Sequence, residues 1–185
     1  LEAETHRRGQ TLYAPSARVP LHPAVLAEGA ASLLADGAPR PAMLWEHRLD
    51  AEGRLLDVSL TRALVLSRAK LDYDRVQRDI DRGQPHPSVA LLPEVGELRR
   101  ALEIERGGVS LNLPEQEIVE HDGSWELEFR HMVPVEDHNA QISLLTGFAA
   151  ARVMLDGGIG ILRTLPPAED WSLEKLRRAA GTLGV

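Results

Sequence analysis

Between His6 and Pro23 the chain sets Gly9 ahead of Pro15, Pro20 and Pro23, a spacing that restricts the backbone more than any other stretch. Proline fixes φ, lacks a backbone donor and pushes the residue before it into extended geometry, while glycine can end a helix in the left-handed conformation. Hydrogen-bonded repetition is blocked here, and a rigid extended loop displaying Tyr13 and Arg18 is expected. Tyr13 is its single aromatic residue. It either packs on a neighbouring helix, as a part-buried tyrosine commonly does, or stands out as a recognition group.

The 185 residues suffice for a sizeable core and point to one domain. A hydrophobic fraction of 43% and a charged fraction of 26% belong to a folded globular chain rather than to a disordered or fibrous one. No apolar run reaches the roughly 18 residues a membrane span needs, no signal-like leader opens the chain, and no membrane partner is expected. Cysteine is absent, which removes disulfides and thiolate metal sites and fits a cytoplasmic location. The net charge of −7 argues against non-specific phosphate neutralisation over the whole surface, although a cleft takes its field from local groups. With three Trp, two Tyr and two Phe, any base-stacking site must use very few aromatics. The chain opens on Leu1 and is expected to be a segment of something longer.

Taken in order, Glu2 and Glu4 before Arg7 and Arg8 predict a short helix ending at Gly9. Val25, Leu26, Ala30, Leu33 and Leu34 recur at helical spacing from Pro23 to Leu34. Ala42 to Leu49 and Leu55 to Leu66 flank Asp50–Gly53 as a half-buried hairpin. Asp72 or Asp74 caps a helix running to about Arg82, and Ala90 to Glu105 carries an apolar stripe with Pro93 in its first turn. Val109, Leu111 and Leu113 alternate with Ser110 and Asn112 as a short extended segment. Residues 118–133 form a second hairpin around His121–Gly123. Glu136 to Leu155 is the longest helix, expected to be central, and Gly157–Gly158 ends it. Ile159 to Leu162 is a short strand and Ser172 to Leu183 a terminal helix.

Chemistry-bearing groups are sparse. Asp72 and Asp74 could share a divalent ion, but side chains at i and i+2 do not converge on a helix, so capping is expected. His131, Glu136, Asp137 and His138 form the densest metal-competent cluster; the histidine spacing across Pro134 matches no zinc pattern, and a solvated helix entry is expected. His6, Arg7 and Arg8 either contact phosphate or form a charged helix face. No P-loop, nucleophile elbow, GxGxxG or HExxH occurs, so no complete catalytic constellation is present.

Several motifs in order nevertheless resemble one family. Glu4-x-x-Arg7-Arg8-Gly9-x-x-Leu12-Tyr13-x-Pro15 leads into Pro20-Leu21-x-Pro23-x-x-Leu26-x-x-Gly29-x-x-Ser32-Leu33. Ser67-x-Ala69-Lys70-Leu71-x-Tyr73-Asp74-x-Val76 follows, then Arg106–Glu115, then the helix carrying Ala149-Ala-Ala-Arg152. Together they are similar to the ribonuclease II (RNB) family of 3′-to-5′ exoribonucleases over roughly Glu4 to Pro167. The resemblance implies an α+β fold, a mixed, largely antiparallel sheet with packed helices, of which residues 1–185 are the central segment. The Asp cluster that binds Mg2+ in the family would precede this segment and an Arg-rich segment would follow it. No metal ligand or catalytic residue is therefore expected within it, and alone it should not cleave RNA.

The implied reaction is Mg2+-dependent hydrolysis of single-stranded RNA from the 3′ end, releasing nucleoside monophosphates, with no preference for DNA. By resemblance, the counterpart of Tyr13 stacks with terminal nucleotides and helps set the final product length. The counterpart of Tyr73 lies by the sugars, and the two tyrosines should approach one groove. Leu111 stands where the family has a clamping Phe, Gln141 follows Ala140 where acidic residues are usual, and Leu165 follows Arg163 where a His is common. Gln141 retains hydrogen-bonding capacity without charge. Two alternatives compete: a non-catalytic RNB-like module that binds single-stranded RNA, and an unrelated α+β metal hydrolase using His131 and His138.

Overall fold

The computed structural model describes residues 2–14, 17–34, 36–111 and 113–184. Pro15 of the expected rigid loop and Asn112 of the expected alternation lie outside them. The chain divides into two compact units, Leu1–Gly147 and Phe148–Val185, each described by itself.

The first unit opens with α1 (Glu2–Arg8), closed by Gly9 at φ +73°. Acidic residues in its first turn and basic ones in its last complement the helix dipole. The proline-rich stretch is more regular than expected: β1 (Leu12–Ala14) and β2 (Ala17–Val19) pair antiparallel, with Tyr13 opposite Arg18. Thr11 Oγ1 accepts from Leu21 N at 3.1 Å and braces the start of β1 against the end of β2. The helix expected from Pro23 to Leu34 shrinks to a π-helical turn at Val25–Ala30 without a buried residue. Its apolar side chains find no covering layer to reward a longer helix.

β3 (Arg40–Leu49) and β4 (Leu55–Val65) form the expected hairpin. Asp50 Oδ1 accepts from the backbone of Glu52 and Arg54, and Gly53 takes φ +78°, so the turn is an Asx-type reversal with its glycine in place. α2 (Tyr73–Asp81) is capped by Asp72, which accepts from Arg75 N at 2.9 Å. α3 (Leu92–Glu105) buries Gly96, Arg99 and Glu103 along one line, flanked by half-buried Leu92, Val95, Leu98 and Leu102. Leu91 and Ile104, expected on the apolar stripe, are exposed.

Residues 109–111, part of the expected extended segment, form no strand and run irregularly from Gly108. Gly108 N donates to Glu103 O and Ser110 donates to the Glu103 side chain, so this segment is held to α3 by side-chain and turn contacts rather than by a ladder. β5 (Glu115–His121) and β6 (Ser124–Arg130) pair across Asp122 and Gly123, both at positive φ, the geometry a two-residue hairpin turn demands. Among the described residues every strand thus pairs antiparallel with its neighbour in the chain, in three separate two-stranded sheets. The α+β class stands, with the pairing among the described residues distributed over hairpins.

α4 (Pro134–Gly157) is the longest helix. Its buried line in the first unit, Val135, His138, Gln141 and Leu145, recurs at three- and four-residue steps. Gln77 Oε1 accepts from Val135 N at 2.9 Å, tying α2 to the start of α4, and His47 meets Thr146 at 3.1 Å, tying β3 to it. The second unit holds the end of α4, an irregular stretch where a strand was expected at 159–162, and α5 (Asp170–Leu183). Gly160, at φ +145°, lies against the Met154 side chain, a conformation closed to ordinary strand residues. No helix among the described residues is long and apolar enough to cross a membrane.

Candidate functional site

Several polar groups meet between α3 and α4. Gly96 on α3 leaves room for the His138 ring on α4, whose Nε2 meets Glu97 Oε1 at 3.1 Å. Two turns further along α3, Glu103 accepts from Ser110 Oγ at 2.7 Å and from Gln141 Nε2 at 2.5 Å. These hydrogen bonds hold the Glu103 carboxyl below the usual glutamate range against the opposing effect of burial. Arg99 donates to Gly53 O at 3.0 Å, and burial lowers its basicity.

A cleft of about 240 Å³ opens over this contact. Its walls include Arg100 and Glu103 from α3, Ser110 and Leu111 from the irregular segment, and Asp137, His138 and Gln141 from α4. Leu111 is 73% exposed and offers an apolar surface. Gln141 is only 5% exposed, and its Oε1, like His138 Nδ1, is buried without a partner. An acceptor in that condition carries a desolvation cost.

Tyr13 and Arg18 share a second cleft, of about 280 Å³, with Thr11, Pro20, His22 and Glu28. Tyr13 is 79% exposed, and Arg18 pairs with Glu28 at 2.8 Å. Tyr73 lines neither cleft. Asn139 Nδ2 donates to its hydroxyl at 3.1 Å. Asn139 and Gln141 project about 200° apart around α4, so Tyr73 and the Leu111–Gln141 cleft lie on different flanks of that helix. Tyr13 is thus brought together with Arg18, and Leu111 with Gln141, while Tyr73 stands apart from both pairs.

Glu136 and His138 of the metal-competent cluster have other partners. Glu136 accepts from Arg130 at 2.8 Å and from Val133 N at 3.0 Å, which lowers its pKa, while the same pairing raises that of Arg130. His138 is turned to Glu97, and Asp72 is spent as a cap. Among the described residues no group of three His, Cys, Asp or Glu side chains could hold a metal ion. Glu103 and Asn139 are not legible as site residues, because a charged or polar side chain on a helix reads as its solvated face, and Ser110 is not, because it reads as the polar face of an extended segment. Gly96 was the available signal, since a glycine inside a helix marks close approach.

Comparison with known proteins gives this arrangement a context. The RNB domain model matches residues 1–183. Ribonuclease R of Escherichia coli is 34% identical over 127 residues, covering 64% of this chain and 16% of that protein. An uncharacterized ribonuclease of Synechocystis, sll1290, is 27% identical over 179 residues, covering 95% of this chain and 27% of that protein. The structure of Mycoplasma genitalium RNase R in complex with ribose methylated single-stranded RNA superposes with a TM-score of 0.89 at 21% identity, over all of this chain and 30% of that one. The chain therefore spans well under a third of the curated relatives it matches.

Proposed function

On the premise that this chain belongs to the RNB-domain family, we propose that the protein carrying it is an exoribonuclease that hydrolyses single-stranded RNA from the 3′ end and releases nucleoside monophosphates. The observation that carries this proposal is the meeting of Leu111 and Gln141 at one cleft. One side chain offers an apolar surface on which a base packs, and the other an amide suited to a sugar. Tyr13, exposed beside Arg18, supplies the stacking face at a second point on the strand. The hydrogen bond from Asn139 leaves the proton of the Tyr73 hydroxyl free to be donated to a ribose oxygen.

Mg2+ in such a hydrolysis polarises the phosphoryl oxygen and activates water. The described residues do not fit the ion: both oxygens of Glu103 are taken by Ser110 and Gln141, and those of Glu136 by Arg130 and Val133. The proposal accordingly assigns the Mg2+ ligands to residues outside these 185, treats this chain as the central segment of its domain, and expects it to be inactive alone. A cytoplasmic location, in keeping with a cysteine-free chain, goes with it.

The test is to incubate the full-length protein with 5′-labelled single-stranded RNA and Mg2+ and follow the product ladder with and without EDTA. Progressive shortening from the 3′ end, abolished by EDTA, is the expected result. Binding without shortening would replace this proposal with a non-catalytic RNA-binding module.

A further inference from the structure

We infer that Glu28 is a specificity-determining residue of the Tyr13 cleft: it holds the Arg18 guanidinium in the free protein and yields it to a phosphate, so that a base stacked on Tyr13 is retained when it brings a phosphate with it. This rests on the proposed function, in which that cleft lies on the RNA path.

Tyr13 and Arg18 stand directly opposite each other on β1 and β2. Residues so paired project from one face of an antiparallel ribbon, with Cβ atoms about 5 Å apart. Both side chains line the cleft and reach water. An aromatic ring accepts a base of any sequence, and a guanidinium beside it can take a phosphate through two parallel N–H donors. Glu28 faces that guanidinium from the π-helical turn Val25–Ala30, its Oε1 accepting from Arg18 Nη2 at 2.8 Å. The turn buries no residue, yet it is not loose: Gly29 O accepts from Arg40 Nε at 3.2 Å, which ties the turn to β3 and keeps Glu28 within reach of Arg18. The carboxylate therefore occupies the position a phosphate oxygen would take. With its side chains 51% and 59% exposed, the ion pair is weak enough to be exchanged. A neutral ligand that opened it would leave two charges unpaired, whereas a phosphate flanking the stacked base replaces one acceptor by another.

The test measures binding of the full-length protein to one single-stranded RNA in EDTA, over a range of salt concentrations, for the wild type, Glu28→Gln, Arg18→Gln and the double variant. Both side chains are more than half exposed, so the substitutions leave the packing as it is. Glu28→Gln should tighten binding about three- to fivefold at low salt, the upper range for one exposed ion pair, and the gain should shrink as salt screens the pair. In the Arg18→Gln background the same substitution should change affinity by less than about twofold. Arg18→Gln alone should lower the slope of log affinity against log salt by about 0.7, the value of one phosphate contact on a single strand. Unchanged or weaker binding by Glu28→Gln, an equal gain with and without Arg18, or an unchanged salt slope would overturn the inference and leave the proposed function intact. A wild-type protein that neither binds nor degrades the RNA would remove the proposed function, and the inference with it.

Discussion

Gly96 and His138 are in contact so close that a Cβ on Gly96 would lie 2.5 Å from the His138 Cβ. The obstructing atom is anchored to the α4 backbone, so no rotamer change relieves it. Gly96→Ala must therefore push α3 and α4 apart, at a cost of about 1–3 kcal/mol. Thermal unfolding should show a lower Tm; an unchanged Tm would mean that the helices are not in contact at this point.

Gly53 combines two demands, a φ of +78° and a Cβ position 2.8 Å from the Leu98 Cβ. Gly83 has a similar φ of +69° with nothing near its Cβ position. Gly83→Ala should cost only the left-handed strain, about 1–2 kcal/mol. Gly53→Ala should cost more and also disturb the Arg99 hydrogen bond to the Gly53 carbonyl. Equal losses in urea titrations of the two variants would contradict the packing of the β3–β4 turn on α3.

Tyr73 is the first residue of α2, directly after the capping Asp72. Asp72→Ala should cost about 0.5–2 kcal/mol, and Asp72→Asn much less, because an amide oxygen caps nearly as well. Equal stability of the two variants would show that the carboxylate does not cap this helix.

Acid should destabilise the fold through Glu103 and Glu136, whose folded pKa values are depressed. A depressed carboxyl contributes stability above its unfolded pKa, about 4.3 for glutamate, and loses it as pH falls through the folded value. Denaturation midpoints should hold steady down to about pH 5 and decline below about pH 4.3. Glu136→Gln should make that decline shallower, since its neutral side chain has no proton to gain. A variant curve parallel to the wild type would remove Glu136 as a source of the acid loss.

Leu111 occupies the wall of the cleft where a clamping aromatic is usual by resemblance, and it is exposed enough to be replaced without repacking. Leu111→Phe should tighten binding of the full-length protein to single-stranded RNA in EDTA by about 1–3 kcal/mol, the range of one base–aromatic stack. Unchanged or weaker affinity would place the strand away from Leu111.

The sequence carried the elements that local chemistry specifies. Asp50–Gly53 with its turn and Asp122–Gly123 with two left-handed residues each combine a propensity with a fixed position and stand where expected, and of the two expected caps, Asp72 and Asp74, the structure uses Asp72. It failed where tertiary context decides. Alternation at Val109–Leu113 and Ile159–Leu162 looks like strand, but a strand needs a partner, and none pairs with these segments among the described residues. The proline-rich stretch erred in the other direction, because short strands can form between prolines. Of the candidate site, motif order yielded Tyr13, Tyr73, Leu111 and Gln141 but not their grouping. The meeting of Leu111 with Gln141 runs through Glu103, which accepts hydrogen bonds from nearby Ser110 and from Gln141 on another helix.

The central claim is that the cleft between α3 and α4 lines the RNA path. The most direct measurement is photo-crosslinking of the full-length protein, in EDTA, to RNA bearing 4-thiouridine near its 3′ end, with the adducts located by peptide mass spectrometry. Adducts on the peptides carrying Leu111 or Gln141 are predicted. Adducts found only on peptides outside these 185 residues would contradict the claim.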